Sequence, residues 1–304
     1  MSTYYSNGKL LLTGEYLVLD GALSLAVPTS YGQSLTVGSI DEHKLLWQSQ
    51  NYKKDVWFES ELDFQQIATA LTPIYNDIIL ERLIQILKAA KQLNPRFLDT
   101  ETGFKITTKL DFPKDWGLGT SSTLINNIAN WANVDAFKLL ELTFEGSGYD
   151  IACAQYHSAI TYKLQNKTRI IEPINYNPDF KNHLYFVHLN KKQDSRDGIA
   201  KYRLNTTDLT GSISEISNIT AKLISCKSLK EFDRLVESHE QIIGSIIKQK
   251  PIKYRLFTDF KGSVKSLGAW GGDFVLVSSQ DNPKTYFEAK GYNTIISYGD
   301  MVLN

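Results

Sequence analysis

The stretch Asp115-Trp116-Gly117-Leu118-Gly119-Thr120-Ser121-Ser122-Thr123 constrains this chain more than any other. Two glycines bracket one leucine and hydroxyl side chains follow. Leu124, Ile125, Ile128 and Ala132 then repeat with helical spacing. Such a loop feeds the N-terminus of a helix. The first turn of a helix has unpaired N–H groups and the positive end of the backbone dipole, so it attracts anions. Glycine lets the backbone approach a phosphate, and the hydroxyls can bind phosphate oxygens or magnesium. The same residues also suit a serine-capped helix after a tight turn, and the stretch alone does not choose between the two.

Composition narrows the classes. The 304 residues fit one large or two ordinary domains, and 42% apolar content is enough for a true core. Lys+Arg and Asp+Glu balance at 33 each, which argues against a nucleic-acid partner, since such proteins carry a basic excess. Cys153 and Cys226 are far apart, and the histidines show no ligand-like spacing with them, so a reduced cytoplasmic protein is expected. Lys9 and Glu15 interrupt the early apolar run, so no targeting segment is read there. No run approaches the roughly 18 apolar residues of a membrane span.

In chain order, residues 1–60 read as strands. They include Leu10–Leu12, Tyr16–Leu19 with a hairpin turn at Asp20-Gly21, Ser34–Val37, Lys44–Trp47 and Asp55–Phe58. Lys9 at a strand end and Glu15 in a turn account for those two charges; a polar cleft facing both is the alternative. Residues 62–94 read as helical, with an apolar stripe at Ile79, Leu83, Ile86, Leu87, Ala90 and Leu93, stopped by Asn94-Pro95. A strand follows at Gly103–Thr108, and Asp135 is placed to cap a second helix after the glycine loop.

Three later signals invite chemistry, and each has a plainer reading. Gly146-Ser147-Gly148-Tyr149-Asp150 opens a short helix. Asp150 is either a first-turn carboxylate or a group that accepts or orients a substrate proton in phosphoryl transfer. Lys191-Lys192-Gln193-Asp194-Ser195-Arg196 precedes a helical stretch, as an anion site or as a solvated loop. Gly268-Ala269-Trp270-Gly271-Gly272-Asp273 precedes an apolar strand, as a binding turn or a simple hairpin. Strands at 159–164, 168–171 and 184–187, helices at 208–225 and 228–249, and a short helix and strand near 283–298 complete the pattern.

Together, these pieces resemble the GHMP kinases (galactokinase, homoserine kinase, mevalonate kinase, phosphomevalonate kinase). Gly8-Lys9-Leu10-Leu11-Leu12-Thr13-Gly14-Glu15-Tyr16-Leu17-Val18-Leu19-Asp20-Gly21 resembles the family's N-terminal motif, in the phosphomevalonate kinase version. Gly117–Ser122 resembles its ATP-binding motif and Gly268–Asp273 its third motif. Gly148-Tyr149-Asp150-Ile151-Ala152 is similar to a bacterial branch named for those five residues.

The resemblance implies an α+β chain with the two-domain GHMP kinase fold: a ribosomal protein S5-like domain over 1–165 and a ferredoxin-like domain over 166–304, with ATP between them. It implies ATP and Mg2+ as cofactors. Gly117, Leu118, Gly119, Thr120, Ser121, Ser122 and Thr123 would cradle phosphate, with Ser121 on the metal. Asp150 and Lys9 match the catalytic acid and the lysine near it. Glu15, Lys192, Ser195, Arg196, Gly268, Gly271 and Gly272 would face the substrate. The implied reaction is transfer of the γ-phosphate to a hydroxyl or phosphate of a mevalonate-like metabolite, by a monomer or homodimer with no membrane partner. A decarboxylase of the same fold and a non-catalytic nucleotide- or metabolite-binding regulator are the alternatives. Trp270 stands where the family usually has glycine, and Tyr16 where mevalonate kinases carry histidine.

Overall fold

A computed structural model describes residues 1–68, 77–144, 146–191, 195–204 and 208–303, with the side chains of 195–197 and 201 outside that description. The chain forms two compact units. One comprises 1–8, 31–114 and 119–155; the other comprises 9–30, 115–118 and 156–304. Strands β1 (Ser2–Leu11) and β2 (Ser24–Ile40) each pass from one unit into the other along the chain.

In the first unit, β3 (Leu45–Gln50) pairs antiparallel with β4 (Val56–Leu62) and parallel with β5 (Gly103–Leu110). β5 in turn pairs antiparallel with the second half of β2, from Gln33↔Leu110 to Ile40↔Gly103. Period-two alternation buries Ile106, Thr108 and Leu110 and turns Lys105, Thr107 and Lys109 away. Helices α1 (Phe64–Ala68), α2 (Ile78–Leu93), α3 (Thr120–Ala132), α4 (Ala136–Glu141) and α5 (Tyr149–Gln155) belong to this unit. The expected 62–94 helix is thus α1 and α2, and 69–76 lies outside the described residues. Leu83, Ile86 and Leu87 of α2 share one core with Ile125, Ile128 and Ala129 of α3, Leu139 of α4 and Ile151 of α5. Asp77 and Asp135 cap α2 and α4 through their side chains, as N-cap chemistry requires.

In the second unit, β6 (Ile160–Gln165) and β7 (Thr168–Pro173) form a hairpin. Its two-residue connection, Asn166 and Lys167, has both φ positive, the geometry that matches strand twist. The start of β2 pairs with β6. A four-stranded antiparallel sheet has the order β11 (Ile295–Ser297), β8 (Leu184–His188), β10 (Phe274–Ser278), β9 (Val264–Ser266). Helices α6 (Ser195–Arg203), α7 (Thr210–Ser225), α8 (Leu229–Ile246), α9 (Ile252–Leu256), α10 (Lys284–Ala289) and α11 (Tyr298–Met301) complete it. Val187, Val264, Val275, Val277, Phe257 and Phe287 make its core on one side of this sheet.

One strand expectation fails. Leu17–Asp20 is a single 3₁₀ turn, and Asp20-Gly21 is not a hairpin. Gly14 and Gly21 bracket the run with φ of 90° and 92°, and Gly21 caps the turn by donating to the Leu17 carbonyl. Leu17 and Val18 are buried. A short apolar run carries no period that separates strand from buried turn, and the flanking glycines decide it. Among the described residues, no helix is long and apolar enough to cross a membrane.

Candidate active site

The glycine loop belongs to both units along the chain: Gly117 and Leu118 to the second, Gly119 to Thr123 to the first. In the first unit, Gly119 is the N-cap of α3 in the left-handed conformation, φ 95°, and no side chain caps that helix. The Thr123 amide is the first to reach back, to the Gly119 carbonyl at 3.0 Å. Ser121 is exposed, while Ser122 is buried and its Oγ donates to the Gly119 carbonyl at 2.9 Å. Thr123 turns inward: its Oγ1 donates to Gln33 Oε1 at 2.7 Å.

That inward face continues as a polar web. Asn127 Nδ2 donates to the Gln33 carbonyl at 2.8 Å, Ser6 Oγ to Asn127 Oδ1 at 2.7 Å, and Asn126 Nδ2 to Ser6 Oγ at 2.9 Å. Every bond in it is buried, so the rotation of α3 about its axis is fixed and its open N-terminus with it. Asp150 lies in the first turn of α5, half-buried, with Oδ1 accepting from the Ile151 amide at 3.1 Å.

In the second unit, pieces of three distant motifs meet. Lys9 Nζ donates to the Gly117 carbonyl at 3.0 Å, and the Lys9 amide donates to the Leu118 carbonyl at 2.9 Å. Gly117, at φ 68°, lies against Asp273, the last residue of the third motif: a Cβ there would come within 2.6 Å of both carboxylate oxygens. The Asp273 amide in turn donates to the Lys191 carbonyl at 2.6 Å, at the head of the basic segment. Of that segment, Lys192 lies outside the described residues; Ser195 and Arg196 open α6, with their side chains outside the description. The crowding at Gly117 makes a prediction. Gly117→Ala is expected to cost about 1 to 2 kcal/mol from backbone handedness alone, read as a lower urea midpoint with weaker ATP binding; an unchanged midpoint would contradict the packing described.

Glu15 is not at the surface. Its carboxylate is fully buried, with Lys265 Nζ of β9 donating to Oε1. His239 Nε2 of α8 lies 3.2 Å from Oε2. The Gly14 amide donates to that same Nε2 at 3.0 Å, and burial followed by the charge of Lys265 holds His239 well below its ordinary pKa. His239 is therefore neutral, and its contact with Glu15 is no ion pair. Burial raises the Glu15 pKa against the pull of Lys265. Glu240 accepts from the Ser266 amide at 3.1 Å and from Ser266 Oγ at 3.3 Å; burial pushes its pKa up to about 8.

Gly268, at φ 63°, would meet nothing within 4 Å if it bore a Cβ, so that position faces open space. Trp270 does not: it is buried, Gln249 Nε2 donates to its carbonyl at 3.1 Å, and its ring lies on Gly244 of α8. Gly271 and Gly272 complete the turn, and the Leu267 amide closes it on the Phe274 carbonyl at 3.2 Å. Tyr16 stacks on Tyr202 of α6 at 5.4 Å, and burial then the charge of Glu15 push its hydroxyl up to about 12. Tyr202 and Arg203 both bond Asp20, at the end of the 3₁₀ turn.

Lys265, His239 and Glu240 are the residues that sequence reasoning missed. Their one local signal is a lone lysine between Val264 and Leu267, immediately before a glycine turn. No group of three or more His, Cys, Asp or Glu that could hold a metal exists among the described residues.

No family model matches the sequence, and no curated protein matches it. Solved structures do. The chain aligns over 97% of its length with 96% of the mevalonate kinase of Methanococcus jannaschii, at TM-score 0.71 and 16% identity. It aligns over 95% with 95% of a Streptococcus pneumoniae phosphomevalonate kinase solved with phosphomevalonate and AMPPNP, at TM-score 0.68 and 16% identity. It aligns over 99% with 93% of a Lactococcus lactis galactokinase solved with galactose, at TM-score 0.70 and 14% identity. The chain therefore has the α+β fold of the GHMP kinases over its full length.

Proposed function

We propose that this chain is a Mg2+- and ATP-dependent small-molecule kinase of the GHMP type, acting on a mevalonate-like metabolite. The observation that carries this reading is the meeting, within the second unit, of Lys9, Gly117 and Asp273, one from each of the three motifs. Independent support comes from α3, whose first turn is left without a side-chain cap behind an αL glycine, as an anion site needs.

In this reading the acceptor oxygen bonds to the γ-phosphorus as the bond from that phosphorus to the bridging β,γ-oxygen breaks, and ADP leaves. The bound ATP–Mg2+ supplies the phosphoryl group and spreads its charge. Amides at Gly119 to Ser122 hold the phosphates, and Ser121 is the exposed hydroxyl suited to the metal. Lys9 steadies the glycine loop through the Gly117 carbonyl and offers a cation to the charge that develops. If the acceptor is an alcohol, its proton goes to Asp150. If the acceptor is a phosphate, no proton is removed, and Asp150 only positions. Lys192, Ser195 and Arg196 would bind the substrate's anion, and Gly268, Gly271 and Gly272 would face the substrate.

An ADP-release screen over mevalonate, phosphomevalonate, galactose and homoserine tests this. Release that depends on one acceptor, with a phosphorylated product, supports it. Release accompanied by CO2 would favour the decarboxylase alternative. ATP binding with no turnover on any acceptor would favour a regulator.

A further inference from the structure

We propose that Lys265 is a positioning residue of this site, holding the turn at Gly14–Leu17 and the turn at Gly268–Gly272 in one fixed arrangement. The inference deepens the kinase reading and rests on it. Lys265 is 0% exposed in the strand that leads into the glycine turn. Its Nζ donates to Glu15 Oε1 and, at 2.9 Å, to the Ser266 carbonyl. One amine thus ties the first motif to the strand that carries the third.

Two consecutive residues of α8 grip the same two segments. His239 accepts from the Gly14 amide at 3.0 Å, and Glu240 accepts from both the amide and the hydroxyl of Ser266. Each of the two turns holds backbone that an unrestrained chain would not keep. Tyr16, next to Glu15, has φ 62°, and Trp270 has φ 50°. Non-glycine residues in that region persist only where their surroundings over-determine them. A buried ion pair is a poor source of net stability, because desolvation offsets the attraction. What the buried hydrogen bonds of Lys265, His239 and Glu240 do supply together is a single geometry. Removing Lys265 alone strands a buried carboxyl group and therefore costs stability, whereas replacing both partners need not, so the double replacement is where a positioning role shows in function.

The test uses the full chain labelled with 5-fluorotryptophan, the Trp270 resonance being assigned with Trp270→Phe. Lys265→Met leaves Glu15 to take up a proton. Glu15→Gln/Lys265→Met is the second variant, neutral throughout, should the first not fold. The expected result is a lowered urea midpoint for Lys265→Met and one near that of the parent for the double variant, with, in both, a Trp270 19F resonance that shifts or splits while those of Trp47 and Trp131 stay, and a KM for the best acceptor raised at least tenfold with a smaller change in kcat. An unchanged Trp270 resonance with an unchanged KM in a folded variant overturns the proposal. If the parent releases no ADP with any acceptor, the kinase reading fails, and the Trp270 resonance still decides whether Lys265 positions the turn.

Discussion

With asparagine in place of Asp150, acceptor-dependent ADP release falls roughly 10²- to 10⁴-fold if the acceptor is an alcohol, and the urea midpoint hardly moves. The structural half of this expectation starts from the first turn of α5. Asp150 Oδ1 accepts from the Ile151 amide at 3.1 Å, and the amide oxygen of asparagine accepts equally well, so the first turn of α5 keeps its partner. What is lost is a carboxylate able to take a proton. A phosphate acceptor has no such proton to lose, and the same substitution then costs much less. Lys9→Met behaves differently. It removes a cation and also the bond to the Gly117 carbonyl, 3.0 Å long, that steadies the glycine loop. Its effect is therefore large for either acceptor class, with kcat reduced by orders of magnitude and the KM for ATP raised. Steady-state kinetics on the two variants thus separate alcohol from phosphate acceptors. Near-normal turnover in both would remove the two residues from the mechanism.

The fold was readable where periodicity is strong. The stripe of α2 and the alternation of β5 each repeat often enough to specify face and type, and Asp135 signalled its own cap. The glycine loop was readable for a different reason: two glycines and a hydroxyl run immediately before a 3.6-residue pattern leave few other structures. Hidden from the sequence was everything that depends on partners far along the chain. Thr123, Asn126 and Asn127 are polar yet face inward, because Gln33 and Ser6 meet them there. Pattern rules send polar residues to water and have no means of seeing such a partner. Lys265 is the sharper case. A lysine is almost never fully buried unless paired, and its pair, Glu15, lies 250 residues away. The run Tyr16–Leu19 failed for the opposite reason: its residues are all apolar, so no alternation distinguished strand from buried turn.

The buried web also makes stability depend on pH in a way one substitution can abolish. Lys265 shares its surroundings with two carboxyl groups, Glu15 and Glu240, and a neutral His239. Burial pushes the Glu240 pKa from 4.5 up to about 8; Lys265 opposes this, and the charge of Glu15 adds to it. The folded chain therefore keeps a proton on Glu240 between those values, and the unfolded chain gives it up. A raised carboxyl pKa contributes stability that is complete below about 4.5 and is lost as pH climbs through about 8. At 1.36 kcal/mol per pH unit, the full window spans about 4 to 5 kcal/mol. A small cavity of about 100 Å³ is lined by Glu240 with Asp233, Glu237, Lys253 and Lys261. Glu240→Gln keeps the contacts: its oxygen accepts from the Ser266 amide, and its NH₂ donates to Ser266 Oγ. It has nothing to titrate. Urea midpoints of the two proteins should lie closest at pH 5, separate as pH rises to about 8 and level off above it, with the glutamine variant the more stable by several kcal/mol at the alkaline end. Groups common to both proteins cancel in the difference, so parallel profiles from pH 5 to 9 would mean that Glu240 is already ionised in the fold at neutral pH.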